Sequence, residues 1–200
     1  MKLLPRFFIY ILFFCIPCIT LSQQKTADSL KGKTAQELFD LSATSPGAPI
    51  LKRTIKKAKA ENNLEILINS YYFISLLVKD ENKLLYNDSI IALKDEYSNA
   101  LYPANAYYSK GFYFFNKRNF IKATDNFIKA NEYGNRYYNK DIIVRSRQNL
   151  GLLKKEIGDY EQALTLYKEN FNYATSKDSI SLSPDDYLEV IFSIASIYNE

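Results

Sequence analysis

The chain has 200 residues, with 26 Lys and Arg against 22 Asp and Glu and a formal net charge of +4. So weak an excess argues for neither nucleic acid nor an anionic membrane surface as a partner of this segment. There is no His and there are only two Cys, which removes the commonest metal ligands and the usual general base, while 17 Tyr and 13 Phe beside six Gly and six Pro point to packed helices rather than disorder.

Lys2 and Arg6 precede an unbroken apolar run from Phe7 to Ile16, and Thr20-Leu21-Ser22 supplies small residues before the chain turns polar at Gln23. This layout reads as a signal peptide over 1–22, too short in its apolar part to span a bilayer. A buried N-terminal helix is the competing reading. Both cysteines, Cys15 and Cys18, lie in the leader. A lipoprotein anchor needs a small residue before the acylated Cys, and Phe14 and Pro17 occupy those places. Cleavage after Ser22 lowers the net charge from +4 to +2 and leaves no Cys, so the exported chain is expected to hold together by core packing without disulfides.

Residues 23–33 read as a polar linker, and 34–98 as a degenerate helical region. Thr34-Ala35-Gln36-Glu37 is a capping box, with Leu38 and Leu41 facing a core. Ser45-Pro46-Gly47-Ala48-Pro49 breaks that helix and starts another. Leu51, Ile55 and Ala58 form an apolar stripe among Lys52, Arg53, Lys56, Lys57 and Lys59, a basic face expected to be solvated. Asn62-Asn63 is a break, and Leu64–Val78 is apolar enough for a buried helix. A turn at Asp80–Asn82 and a weaker helix over Leu84–Lys94 are expected next. Pro103 sits at a further helix start.

From here two stretches align. Gly111 matches Gly151, Asn119-Phe120 matches Asp159-Tyr160, Ala123 matches Ala163, and Phe127 matches Tyr167. The glycines let a partner helix approach closely, at a cost of roughly 1 kcal/mol against alanine. Asn119 and Asp159 cap the second helix of each pair. Phe120 and Tyr160 pack back on the first helix, while Ala123 and Ala163 are expected opposite the glycine. A third copy opens at Ser183-Pro184-Asp185-Asp186. Ile191, Ile194 and Tyr198 continue it, with Ala195 in the glycine's place. It stops at Glu200 before a second helix, so the chain is expected to be the front of a longer protein.

This pattern resembles the tetratricopeptide repeat (TPR), a helix–turn–helix unit with small and aromatic residues at fixed places. Gly111, Phe114, Phe120, Ala123, Phe127 and Ala130 match it over 102–134, as do Leu150, Gly151, Gly158, Tyr160, Ala163 and Tyr167 over 140–174. A truncated copy occupies 183–200. Lys110 stands for a leucine, Lys154 for an aromatic and Asn170 for an alanine. The glycine spacing exceeds the usual repeat of about 34 residues, and the extra length is expected in Asn135–Asn139 and Ser176–Leu182. The resemblance implies an all-α fold of antiparallel helix pairs in a right-handed solenoid; a plain helical bundle is the alternative.

The leader, the degenerate front and the wording of Asn116–Tyr133 and Gly151–Phe171 also resemble the periplasmic sensor region of membrane-tethered bacterial AraC-type regulators. That resemblance implies a periplasmic, protein-binding sensor, with a membrane helix and a DNA-binding domain beyond residue 200. A stand-alone exported scaffold or ligand-binding repeat protein is the alternative.

No catalytic or metal constellation recommends itself, and no cofactor is expected. Adjacent acids such as Asp95-Glu96 and Asp185-Asp186 point in different directions on a helix. A binding groove is expected on the first helix of each pair. Its candidates are Tyr108, Phe112, Phe115, Arg145, Gln148, Leu152 and Lys155, which would grip a protein or peptide. The competing reading makes the aromatics part of the contact between neighbouring repeats.

Overall fold

The computed structural model describes residues 30–45, 47–96, 101–175 and 184–199. The leader over 1–22, most of the linker, Asp185-Asp186 with the Ser183 cap and Ser176–Leu182 lie outside the described residues or the described side chains. Among the described residues there are nine helices and no strand: α1 (Ala35–Thr44), α2 (Ala48–Ala60), α3 (Leu64–Leu77), α4 (Asp80–Ala92), α5 (Leu101–Asn116), α6 (Phe120–Arg136), α7 (Lys140–Glu156), α8 (Tyr160–Thr175) and α9 (Pro184–Ile197).

Local chemistry sets most boundaries. Thr34 and Glu37 form the capping box of α1: Glu37 N donates to Thr34 Oγ1 at 3.2 Å, and Thr34 N donates to Glu37 Oε2 at 2.7 Å. The carboxylate of Glu37 is held below its usual pKa, first by the Thr34 backbone hydrogen bond. Pro49 lies in the first turn of α2, where its missing N–H costs nothing.

One junction design recurs four times. A residue with positive φ is followed by an Asn or Asp that caps the next helix: Asn62 (φ 53) before Asn63, Arg118 (φ 55) before Asn119, Tyr138 (φ 56) before Asn139, and Gly158 (φ 79) before Asp159. In each, the capping residue's N–H reaches back five residues, to Ala58, Phe114, Gly134 and Lys154, at 2.8–2.9 Å. Its side-chain oxygen accepts from the third residue on, at 3.1 Å for Asn63, 3.2 Å for Asn119, and 3.3 Å for Asn139 and Asp159. Carbonyls left open at one helix end and amides left open at the next are thus satisfied within three residues. Turns this short force the joined helices to run antiparallel.

Two sequence expectations are corrected here. Asp80–Asn82 is not a turn: α4 begins at Asp80, because extended backbone at Val78 (ψ 161) and Lys79 (ψ 167) reverses the chain. Asn135–Asn139 does not hold the extra repeat length in a loop. Helix α6 continues through Arg136. Gly134 lies inside it, close against α7, and a Cβ there would sit 3.1 Å from Ile143 Cγ1. The longer repeat is therefore made by longer helices.

Consecutive helices pack on one another, and the odd-numbered helices α1, α3, α5 and α7 also touch in sequence. The odd helices form one row and the even helices line its other side, a solenoid-like arrangement. Its core is continuous. Ala35, Ala58 and Ile66 close the front, then Leu51, Ile55, Tyr71, Ile74, Ile90 and Ala106 fill the space between α2 and α5. Ala104, Tyr107, Ala130 and Ile142 follow, and then Ala123, Phe127, Leu150 and Leu153. Leu38 is buried, while Leu41 is half-buried. No described helix is long and apolar enough to cross a membrane.

Candidate functional site

The aligned repeat residues set the spacing of the helix pairs. Gly111 faces the ring of Phe127 and Gly151 faces the ring of Tyr167; these rings meet the glycines directly. Ala123, Ala163, Phe127 and Ala130 are all 0% exposed, and Tyr167 is 2% exposed. Phe114 is half-buried beneath Lys122, whose Nζ lies 5.2 Å from the ring centroid. Phe120 packs back on Phe115, with centroids 6.1 Å apart. Tyr160, its counterpart, is 41% exposed, so that contact is only partly repeated. Ala195 is exposed on α9.

The three departures from the repeat pattern each find a polar partner. Lys110 forms an ion pair with Asp88 on α4, beside a hydrogen bond from Asn87 Nδ2 to Ser109 Oγ at 3.1 Å. Lys154 reaches Asp159 across the junction at 3.3 Å. Asn170, fully buried, donates from Nδ2 to the Val144 carbonyl at 2.9 Å.

Three of the groove candidates meet. Tyr108 on α5, Arg145 and Gln148 on α7, and Glu189 and Val190 on α9 line one cavity of about 260 Å³, completed by Val144 and Asn149. Asn149 Nδ2 donates to the Tyr108 hydroxyl at 3.2 Å and to the Arg145 carbonyl at 2.8 Å. Arg145 Nε donates to Asp141 Oδ1 at 2.8 Å. The Tyr108 ring packs on Phe127 at 5.7 Å. Burial pushes its phenol pKa up, against the Asn149 hydrogen bond and the Arg145 charge.

Gln148 is 9% exposed. Its Nε2 donates to Ser193 Oγ on α9, and the Ser193 hydroxyl in turn donates to the Glu189 carbonyl at 2.8 Å. Since the serine hydrogen is committed to that carbonyl, the glutamine must present its N–H to the serine. Among the described residues its Oε1 then has no donor, a state that costs about 1–3 kcal/mol.

The other candidates lie outside this cavity. Phe112, one turn beyond Tyr108 on the same helix face, is 48% exposed. Phe115 is half-buried against the Ala123, Phe127, Leu150 and Leu153 cluster. Leu152 and Lys155 are half-buried on α7. Sequence reading missed Val144, Asn149, Glu189 and Val190. Asn149 lies between two groove positions, and α9 has no second helix of its own from which its register could be fixed. A second cavity of about 380 Å³ lies between Phe39, Leu51, Phe73, Leu76 and Leu77 and is almost wholly apolar. The basic residues Lys52, Arg53, Lys56 and Lys59 are exposed, and Lys57 pairs with Glu61 at 3.3 Å. No cluster of three or more metal-ligating side chains occurs among the described residues.

No protein-family model matches the sequence. No curated protein matches it either. Among solved structures, BtubC (BKLC) from P. vanneervenii is similar in fold, with a TM-score of 0.66 and 14% identity over 82% of this chain and 70% of that chain. At that identity the likeness establishes a shared all-helical, repeat-like architecture.

Proposed function

We propose that the chain is an exported interaction and sensor module of tetratricopeptide type, which binds a protein or peptide segment along the row of odd-numbered helices. The observation that carries this reading is the convergence of Tyr108, Arg145 and Gln148 on one cavity, with Phe112 left 48% exposed a turn away. An exposed aromatic beside a polar cavity is the composition of a recognition surface rather than of a sealed core. The leader and the wording of the repeats support a place in the periplasm, as the sensor part of a membrane-tethered regulator of transcription. Catalysis is not part of the proposal, because no nucleophile–base pair stands out.

A photo-crosslinking phenylalanine analogue at Phe112 tests the reading in cells. The expected result is a discrete adduct that is absent when the analogue replaces Ile121, an exposed apolar residue on α6. Equal adducts from both positions, or none from either, would count against the groove. Recovery of the protein with its leader intact would count against export.

A further inference from the structure

We propose that the cavity between α5, α7 and α9 binds a free α-amino acid as a zwitterion, its ammonium toward Glu189 and its carboxylate toward Arg145 and Tyr108. The proposal rests on the row of odd-numbered helices being the binding face and names the small-molecule cue that this face would read.

Size comes first. At about 260 Å³ the cavity is below the range of roughly 300–1,000 Å³ for drug-sized ligands. It excludes a helix of 10–12 Å diameter and suits a molecule of amino-acid dimensions. Charge comes second. Among the described residues one cation and one anion stand on the wall, Arg145 from α7 and Glu189 from α9. Arg145 commits its Nε to Asp141, which leaves its terminal amino groups free to fork onto a carboxylate. Glu189 is exposed and makes no salt bridge among the described residues.

The hydrogen-bonding inventory then fits both ends. An ammonium carries three N–H donors, and Glu189 is the exposed carboxylate on the wall that can take them. The Tyr108 oxygen already accepts from Asn149, so its own hydrogen is available to a carboxylate. The raised pKa of Tyr108 keeps that hydrogen in place.

The test is calorimetric titration of the purified protein with L-valine, L-phenylalanine, L-glutamate, valinamide, N-acetylvaline and dialanine. L-Valine is expected to bind. Valinamide and N-acetylvaline, each missing one charge, are expected to bind at least about ten-fold more weakly. Glu189→Gln lies on an exposed side chain and should keep full helicity while losing valine binding; Arg145→Lys keeps the charge and should retain part of it. Valinamide binding as tightly as valine, unchanged binding in Glu189→Gln, or no binding of any amino acid at millimolar concentration would each overturn the proposal. Tighter binding of dialanine would also overturn it, since the occupant would then be a peptide end. The two readings fail separately. Loss of amino-acid binding with the Phe112 adduct intact removes only this inference, and valine binding without an adduct removes only the protein-docking reading.

Discussion

The ring of Tyr167 occupies the space a side chain on Gly151 would need: a Cβ there would lie 2.4 Å from Cε1 and 2.8 Å from Cδ1. The ring is 2% exposed. Gly111 and Phe127 repeat the relationship at 2.6 Å. Alanine is a better helix former than glycine by about 1 kcal/mol, yet forcing a methyl into a packed contact costs about 1–3 kcal/mol. Gly151→Ala and Gly111→Ala are therefore expected to destabilise by up to about 2 kcal/mol. Urea denaturation measures this, and a stabilised Gly151→Ala variant would refute the close approach.

Ala123 and Ala163 are 0% exposed at matched places. Ala123→Leu and Ala163→Leu should each cost about 1–3 kcal/mol by overpacking. Lys56→Ala, on the exposed face of α2, should leave stability within about 0.5 kcal/mol of the parent. The same denaturation series compares all three, and an Ala163→Leu variant as stable as the parent would show that the site has room.

The junctions offer a cleaner test, because backbone strain acts there with little packing. Arg118 and Gly158 hold the same left-handed place, and nothing lies within 4 Å of a Cβ on Gly158. A non-glycine residue in that conformation costs about 1–2 kcal/mol. Gly158→Ala should destabilise by about 1 kcal/mol, and Arg118→Gly should stabilise by a smaller amount, offset by the greater freedom of glycine when unfolded. Thermal midpoints read both, and a fall in the Arg118→Gly midpoint would contradict the argument.

What the sequence disclosed follows from the range of each interaction. The capping box at Thr34 and the caps at Asn119 and Asp159 act over three residues, so they could be read directly. Gly111, Gly151, Ala123 and Ala163 showed themselves by repetition. The turn expected at Asp80–Asn82 failed because polar composition alone does not separate a loop from the first turn of an exposed helix. The cavity was legible only on its α5 and α7 sides. Its α9 wall depends on which face of that helix turns inward, which packing decides. Phe115 shows the same limit: its spacing from Gly111 places it toward the groove, while its contact with Phe120 depends on the angle between α5 and α6.

Burial raises the Tyr167 pKa from 10.0 to about 12, and the charge of Glu189 adds to the effect. The folded state therefore favours the neutral phenol. The stabilisation is fully present below the ordinary tyrosine pKa and is lost as pH rises through the folded value. The loss is on the order of 2 kcal/mol. Tyr167→Phe has no phenol to ionise, so the stability difference between parent and variant should drift toward the variant above pH 10.0. Denaturation at paired pH values measures this, with lysine titration common to both proteins. A constant difference across that window would mean the phenol is solvated.

The last prediction separates the two aromatics that share a face of α5. Phe115 packs on Phe120 and on the Ala123, Phe127, Leu150 and Leu153 cluster. Phe112 stands 48% exposed. Truncating a half-buried ring forfeits roughly half of the 3–5 kcal/mol of a fully buried one, so Phe115→Ala should cost about 2 kcal/mol. Phe112→Ala should cost under about 1 kcal/mol, because much of the ring is already in water. Capture should show the opposite order. With the crosslinker placed at Leu152, a groove candidate on α7, Phe112→Ala should reduce the adduct at unchanged helicity. Phe115→Ala should reduce it only in proportion to the fraction unfolded. Circular dichroism and adduct yield on the same samples decide between them. If Phe112→Ala lowers the denaturation midpoint as far as Phe115→Ala does, both rings belong to the core, and the groove loses its aromatic anchor.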